Sequence, residues 1–121
     1  FDTPSYVENA DGPVLTRRMQ EKWVENYLDD PALRSDPRVS PQQATNFSGL
    51  PPATVITASH DPLRDEGIAY AECLSNAGVS VRHRNWEGYP HLFPSMGGYV
   101  DAAFEALDFA AKGLNDAFYP E

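Results

Sequence analysis

The sequence has little cysteine, since Cys73 is the only one among its 121 residues. A single cysteine excludes a disulfide within the chain and a zinc site made of cysteine ligands. Cys73 lies among apolar residues of a predicted helix, which favours a small buried side chain over a nucleophile. A chain without internal disulfides suits a reducing compartment, so we expect a cytoplasmic protein.

Basic residues are also scarce. Nine Lys and Arg residues stand against 18 Asp and Glu residues, which gives a net charge of −9. Such an excess of negative charge argues against nucleic acid or an anionic membrane surface as a partner. No apolar run is long enough to cross a bilayer, and the first residues (Phe1 to Pro4) do not resemble a signal peptide. We therefore expect neither a membrane span nor a nucleic-acid partner.

Proline is plentiful but unevenly placed. Seven of the 11 prolines lie in residues 1–52, which predicts a loop-rich segment with one helix. Residues 1–13 show turn chemistry without a period and are predicted to form a loop. The helix is predicted over residues 16–28, with Thr16 as its N-cap, because apolar residues recur at every fourth position. The members of this stripe, which we expect to pack as a helix face, are Leu15, Met19, Trp23 and Tyr27.

Residues 53–121 alternate between strand and helix patterns. Residues 53–58 are β-branched and apolar, as in a buried parallel strand, and residues 79–86 predict a second strand. A helix is predicted between them over residues 62–77, and an amphipathic helix runs from about Val100 to the C-terminus. A strand–helix–strand unit with a right-handed crossover makes its two strands parallel. The fold class is therefore α/β.

Two parallel strands do not make a stable domain by themselves. Both faces of a parallel sheet need a covering layer, and an open strand edge remains. Large apolar residues in the two amphipathic helices also need a core that two strands do not offer; these are Trp23, Tyr27, Phe104 and Phe118. We expect residues 1–121 to complete a larger sheet of the same domain.

An acidic and a basic residue follow the two predicted strands. Asp61 comes shortly after the first strand, and His91 comes after the second. Catalytic groups of open α/β sheets gather beyond the carboxyl ends of the strands, where neighbouring strands lie about 4.8 Å apart. We expect Asp61 to orient His91 and His91 to act as a general acid and base. The nucleophile of such a triad is absent from this chain.

The motifs around these residues resemble those of a known family. The segments are LPPATVITA at 50–58, DPLRDEG at 61–67 and GYPHLF at 88–93, with ENADGP at 8–13 and Ser-Pro at 40–41 upstream. Together they resemble the C-terminal part of hormone-sensitive-lipase-type esterases, the bacterial family IV of the α/β-hydrolases. In the sequence order of that superfamily, the acid precedes the histidine and the nucleophilic serine precedes both.

The resemblance implies a C-terminal portion of one α/β-hydrolase domain. It implies a serine carboxylesterase or lipase that acts on small uncharged esters, with Asp61 and His91 as triad members and no cofactor or metal. The serine in G-x-S-x-G and the His-Gly-Gly-Gly oxyanion loop would lie in an N-terminal portion of the domain, because neither motif occurs here. This chain alone is expected to be inactive. Leu92 stands where the family usually has glycine, and it would either tighten the acyl side of the pocket or restrict the loop.

Other interpretations of the same residues remain open at this point. Asp61 could serve only to cap a helix that begins at Pro62, a common role for an Asp before Pro. His60 adjoins Asp61 and could compete as the base, but adjacent side chains of an extended strand point in opposite directions, which favours a structural or surface position for His60. Asp65 and Glu66 could be metal ligands, yet their place in the first turn of a helix explains them fully.

Two non-catalytic functions compete with the esterase. A ligand receptor on the same fold, as in the plant gibberellin receptors, resembles these esterases but lacks the catalytic histidine, so His91 counts against it. An inert fragment that needs a partner chain is the second, and it agrees with the missing nucleophile.

Overall fold

The computed structural model describes residues 2–119. The described residues form four α-helices, two strands and short 3-10 turns. In chain order the helices and strands are α1 (Pro4–Glu8), α2 (Arg17–Tyr27), β1 (Ala53–His60), α3 (Arg64–Asn76), β2 (Val81–Pro90) and α4 (Asp101–Phe118). The 3-10 turns are Pro31–Ser35, Pro41–Gln43 and Phe93–Ser95.

The two strands pair in parallel and α3 crosses between them, which confirms the predicted strand–helix–strand unit. Both strands extend further at their carboxyl ends than the sequence pattern predicts, and β2 begins at Val81 rather than at the predicted residue 79. β1 continues past Ala58 to His60, and β2 continues past Trp86 to Pro90. The extra residues of β2 carry a glycine and polar groups, so hydrophobic alternation gives no sign of them.

A helix packs on each face of the sheet. On one face, Ala58 and Trp86 join Ala102 and Ala106 of α4 in the buried core. On the other face, Gly67 of α3 lies so close to Thr57 that a Cβ atom at Gly67 would come within 2.7 Å of the Thr57 methyl. Adjacent residues of a strand point to opposite faces, so α3 and α4 enclose β1 between them.

Helix α4 turns its small residues towards the sheet. Ala102, Ala103 and Ala106 are buried, and Gly113 lies against Thr54. Large apolar residues of this predicted amphipathic helix lie on another face, where Phe104 is 55% exposed and Leu114 is 58% exposed. Residues 2–119 therefore do not bury the face of α4 that carries these large apolar residues.

Residues 1–52 depart from the prediction in two ways. The predicted loop over 1–13 contains α1, a single helical turn whose Ser5 and Tyr6 are buried against other parts of the chain. Phe1 of that predicted loop lies outside the described residues. Helix α2 itself is confirmed, as is its predicted N-cap: the Thr16 hydroxyl accepts a hydrogen bond from the backbone N–H of Met19. The stripe is packed only at Leu15, which is buried, whereas Met19, Trp23 and Tyr27 are exposed.

The ends of α3 also refine the prediction. The helix begins at Arg64 with Leu63 as its N-cap, so the expected start at Pro62 is wrong. Gly78 follows the C-cap with a φ of 82°, as expected of a glycine that ends a helix. Cys73 is half-buried rather than buried. Within residues 2–119, no helix has the length and apolarity that crossing a membrane requires.

Candidate active site

The structure brings the predicted acid and base into direct contact. Asp61 immediately follows β1 and His91 immediately follows β2, so both lie at the carboxyl ends of parallel strands. The Nδ1 atom of His91 lies 2.7 Å from Oδ2 of Asp61. The Asp61 residue is buried, and the His91 side chain retains 26% of its exposure. The buried carboxylate of Asp61 thus bonds to an imidazole that remains partly accessible to solvent and to other groups.

The hydrogen bond fixes the roles of the two imidazole nitrogens. A carboxylate can only accept, so Nδ1 of His91 donates its proton to Asp61. In the neutral ring, Nε2 then carries the lone pair and is the basic nitrogen. Within residues 2–119, no hydrogen bond engages Nε2 of His91. This is the tautomer that a general base at Nε2 requires.

Asp61 also organises the turn that follows it. Its Oδ1 atom accepts a 2.8 Å hydrogen bond from the backbone N–H of Leu63, and its carbonyl accepts from the N–H of Arg64 at 3.1 Å. Leu63, not Asp61, is the N-cap of α3, but Asp61 does stabilise the turn before the helix, and this structural role is compatible with a catalytic one. One oxygen of Asp61 stabilises the turn into α3, and the other holds His91.

The loop that carries His91 is anchored on both sides. Before it, the backbone N–H of Gly88 donates to the hydroxyl of Ser59 at 2.7 Å. After it, Phe93 is fully buried and packs on Trp86, with 5.6 Å between the ring centroids. Leu92, between His91 and Phe93, has a φ of 61° and is 56% exposed. A left-handed backbone at leucine costs about 1–2 kcal/mol, which the surrounding contacts must supply.

Helix α1 and its C-cap residue, Asn9, hold the loop that carries Asp61. The amide of Asn9 donates to the carbonyls of Ser59 and Asp61 at 3.3 and 3.4 Å. The hydroxyl of Ser5 donates to the carbonyl of Pro62 at 2.6 Å, and the backbone N–H of Ser5 donates to Asp65 at 2.8 Å. Residues 4–9 therefore help to hold the loop that carries Asp61 in place.

The neighbouring acids have structural partners. Burial alone would raise the pKa of Asp65, but hydrogen bonds from Arg64 and from the backbone of Ser5 outweigh it and hold that pKa below its ordinary value. Burial raises the pKa of Glu66. Within residues 2–119, no three His, Cys, Asp or Glu side chains are grouped to bind a metal ion. His60 is exposed at the end of β1, as predicted.

Sequence reasoning missed the supporting residues. Asn9 lies in the ENADGP segment that carries part of the resemblance, so that segment was a usable signal. Arg64 and Gly88 likewise lie in the DPLRDEG and GYPHLF segments. Ser59 gave no signal, because its role depends on a contact with Gly88 on the other strand.

Comparison with known proteins places this chain in a family. A model of the alpha/beta hydrolase fold matches residues 1–95. The carboxylesterase NlhH of Mycobacterium tuberculosis is 40% identical over 121 residues, with 96% of this chain and 37% of that protein covered. The ethyl acetate hydrolase of Pseudomonas putida is 36% identical over 111 residues, which cover 92% of this chain and 35% of that protein.

A solved structure agrees with these relatives. The crystal structure of EstE1, a thermostable carboxylesterase from a metagenomic library, matches with a TM-score of 0.91 and 37% identity and covers 98% of this chain. The match covers 40% of the EstE1 chain. The present chain thus spans less than half the length of the relatives it matches, which is consistent with the C-terminal part that the motifs imply. It belongs to the alpha/beta hydrolase fold family, and within it to the hormone-sensitive-lipase type.

Proposed function

We propose that the protein containing this chain is a serine carboxylic ester hydrolase in which Asp61 and His91 are two members of a Ser-His-Asp triad. The observation that carries the proposal is the 2.7 Å hydrogen bond between Nδ1 of His91 and Oδ2 of Asp61 at the carboxyl ends of two parallel strands. The names of the relatives, a carboxylesterase and an ethyl acetate hydrolase, support an uncharged ester with a short or medium acyl chain as substrate.

The reaction follows from the tautomer. Nε2 of His91 takes the proton of a serine hydroxyl as that oxygen attacks the ester carbonyl, and it later returns the proton to the departing alkoxide. Asp61 stabilises the imidazolium that forms in between. In the second half, His91 deprotonates a water molecule that attacks the acyl-enzyme, and it returns the proton to the serine oxygen as the bond to the acyl group breaks. Neither step needs a metal or an organic cofactor.

The proposal includes an N-terminal portion of the same domain as the partner of residues 1–121. It would supply the nucleophilic serine and the oxyanion loop, and its strands and helices would cover the apolar surface left open here. Trp23 of α2 and Phe104, Leu107 and Leu114 of α4 are each more than half exposed, which supports such a partner. Without it, Asp61 and His91 have no nucleophile to activate, so this chain alone should not hydrolyse esters.

The proposed location is the cytoplasm. The single cysteine, Cys73, supports a reducing compartment.

The test is His91→Ala in the full-length protein, with p-nitrophenyl acetate as the probe. We expect turnover to fall by about four to six orders of magnitude, because the general base is lost. His60→Ala is the matched control, since His60 is exposed and adjoins Asp61 without bonding to it. Ester hydrolysis that survives His91→Ala would contradict the proposal, and tight ligand binding without turnover in the unmodified protein would favour a receptor.

A further inference from the structure

The pairing of β1 with β2 changes register just before the candidate site. Ala58 pairs with Trp86, an offset of 86 − 58 = 28, whereas His60 pairs with Pro90, an offset of 90 − 60 = 30. β2 therefore accommodates two more residues than β1 over this step. Asp61 and His91 come next, and they share the new offset of 91 − 61 = 30.

This shift decides which side chain faces Asp61. At the earlier offset of 28, Asp61 would lie level with Tyr89, and His91 would lie two residues further along. Two residues of a strand span about 6–7 Å, which is too far for a hydrogen bond between the two side chains. The irregularity in β2 is therefore what brings the base level with the acid.

Ser59 lies at the centre of the irregularity. It is the β1 residue between the two registers, and its hydroxyl accepts the backbone N–H of Gly88 at 2.7 Å. Gly88 has a φ of 83°, a conformation that glycine adopts without strain. The hydroxyl thus takes a backbone donor from the stretch of β2 that departs from regular pairing.

The backbone of Ser59 is held from the opposite side. Its carbonyl accepts from Asn9 at 3.3 Å and from Nη1 of Arg64 at 3.1 Å. Arg64 is in turn fixed by Glu8 and Asp65, each at 2.8 Å. Ser59 therefore joins three elements: α1, the start of α3, and the irregular part of β2.

We propose that Ser59 is a positioning residue for the Asp61–His91 pair. Its hydroxyl fixes the register shift that sets the base level with the acid, and its carbonyl ties that shift to α1 and α3. Ser59 touches neither reacting atom; it acts through Gly88 and the backbone that leads to His91. This role rests on the proposed function.

The test compares Ser59→Ala with Ser59→Thr in the full-length protein. We expect Ser59→Ala to lower kcat about tenfold to a hundredfold, because a base displaced by about 1 Å loses its alignment. KM should stay within about twofold, since substrate contacts are unchanged. Ser59→Thr keeps a hydroxyl and should restore most of the lost kcat.

Two further measurements separate positioning from stability. The low-field proton resonance of Nδ1–H in His91 should weaken or move in Ser59→Ala and persist in Ser59→Thr. Ser40→Ala is the matched control, because the Ser40 hydroxyl donates to the carbonyl of Arg34 in an exposed turn. It should change neither kcat nor that resonance.

The outcomes distinguish this inference from the function on which it rests. If His91→Ala is inactive but Ser59→Ala keeps the kcat and proton resonance of the unmodified protein, Ser59 has no positioning role and the proposed function stands. A melting temperature that falls with kcat unchanged, or a loss that Ser59→Thr does not restore, also overturns the inference. Activity in His91→Ala would instead refute the esterase mechanism itself.

Discussion

The carboxylate of Asp61 uses its two oxygens for two different partners, and His91 is one of them. Oδ2 lies 2.7 Å from Nδ1 of His91, and Oδ1 accepts from the backbone N–H of Leu63 at 2.8 Å. The carboxylate cannot rotate to improve one bond without loss of the other. The turn into α3 therefore sets the orientation of the acid, and the acid sets the orientation of the base.

Leu92 stores backbone strain next to the base. It is the sole non-glycine residue with a positive φ in residues 2–119. Because asparagine tolerates this conformation better, Leu92→Asn should raise the free energy of unfolding of the full-length protein by about 0.5–1 kcal/mol. Chemical denaturation measures the change. Leu50→Asn is the control, since Leu50 is also exposed but lacks a positive φ. Equal effects of the two substitutions would show that the left-handed backbone is not the cause.

Gly113 permits close packing of α4 on β1. A Cβ atom there would overlap the Oγ1 atom of Thr54. Although alanine normally stabilises a helix interior relative to glycine by about 1 kcal/mol, Gly113→Ala should destabilise the protein by about 1–3 kcal/mol. Thermal or denaturant unfolding measures this, and Thr54→Ala in the same background should relieve part of the loss.

A second glycine provides the control for that packing. A Cβ atom at Gly97 would lie 3.4 Å from the Phe104 ring, an ordinary contact distance. Gly97→Ala should therefore have little effect on stability. A stabilising Gly113→Ala substitution would mean that α4 does not approach β1 as closely as the structure has it.

Tyr6 should make stability depend on alkaline pH. Burial, and secondarily the negative charge of Glu66, raise the pKa of Tyr6 above its ordinary value of 10.0. A group with a raised pKa in the folded state contributes stability that is fully present below its unfolded pKa. That contribution is lost as the pH rises from about 10 towards the folded-state pKa, because the unfolded chain releases the proton first.

The measurement is the free energy of unfolding as a function of pH in the unmodified protein and in Tyr6→Phe. The unmodified protein should lose stability more steeply above pH 10, whereas the variant lacks this contribution. The comparison uses the slopes, because Tyr6→Phe also removes the hydroxyl contact with Glu66. Parallel curves would contradict the assignment of the alkaline loss to Tyr6.

The features that were predicted correctly from the sequence have signals that are either local or fixed by positions at the ends of strands. The parallel strands follow from β-branched runs, the cap at Thr16 from its place before an apolar period, and the Asp61–His91 contact from their matching positions after two strands. Local chemistry and the geometry of parallel sheets suffice for each of these features.

The features that escaped prediction depend on distant contacts. Helix α1 has five residues, too few to be stable alone, and it persists because Ser5 and Tyr6 are buried against the start of α3. The register shift in β2 depends on the hydrogen bond from the backbone N–H of Gly88 to the Ser59 hydroxyl, which no periodicity reveals. The face of α4 that packs consists of alanines, which carry a weaker hydrophobic signal than its exposed large residues.

The most direct test of the central claim is a kinetic double-mutant cycle with Asp61→Asn, His91→Ala and the double variant in the full-length protein. If Asp61 acts only by orienting and stabilising His91, Asp61→Asn should lower kcat by about four orders of magnitude and the double variant should be no worse than His91→Ala. Losses that multiply, with the double variant far below either single variant, would contradict the account, because the two residues would then act independently.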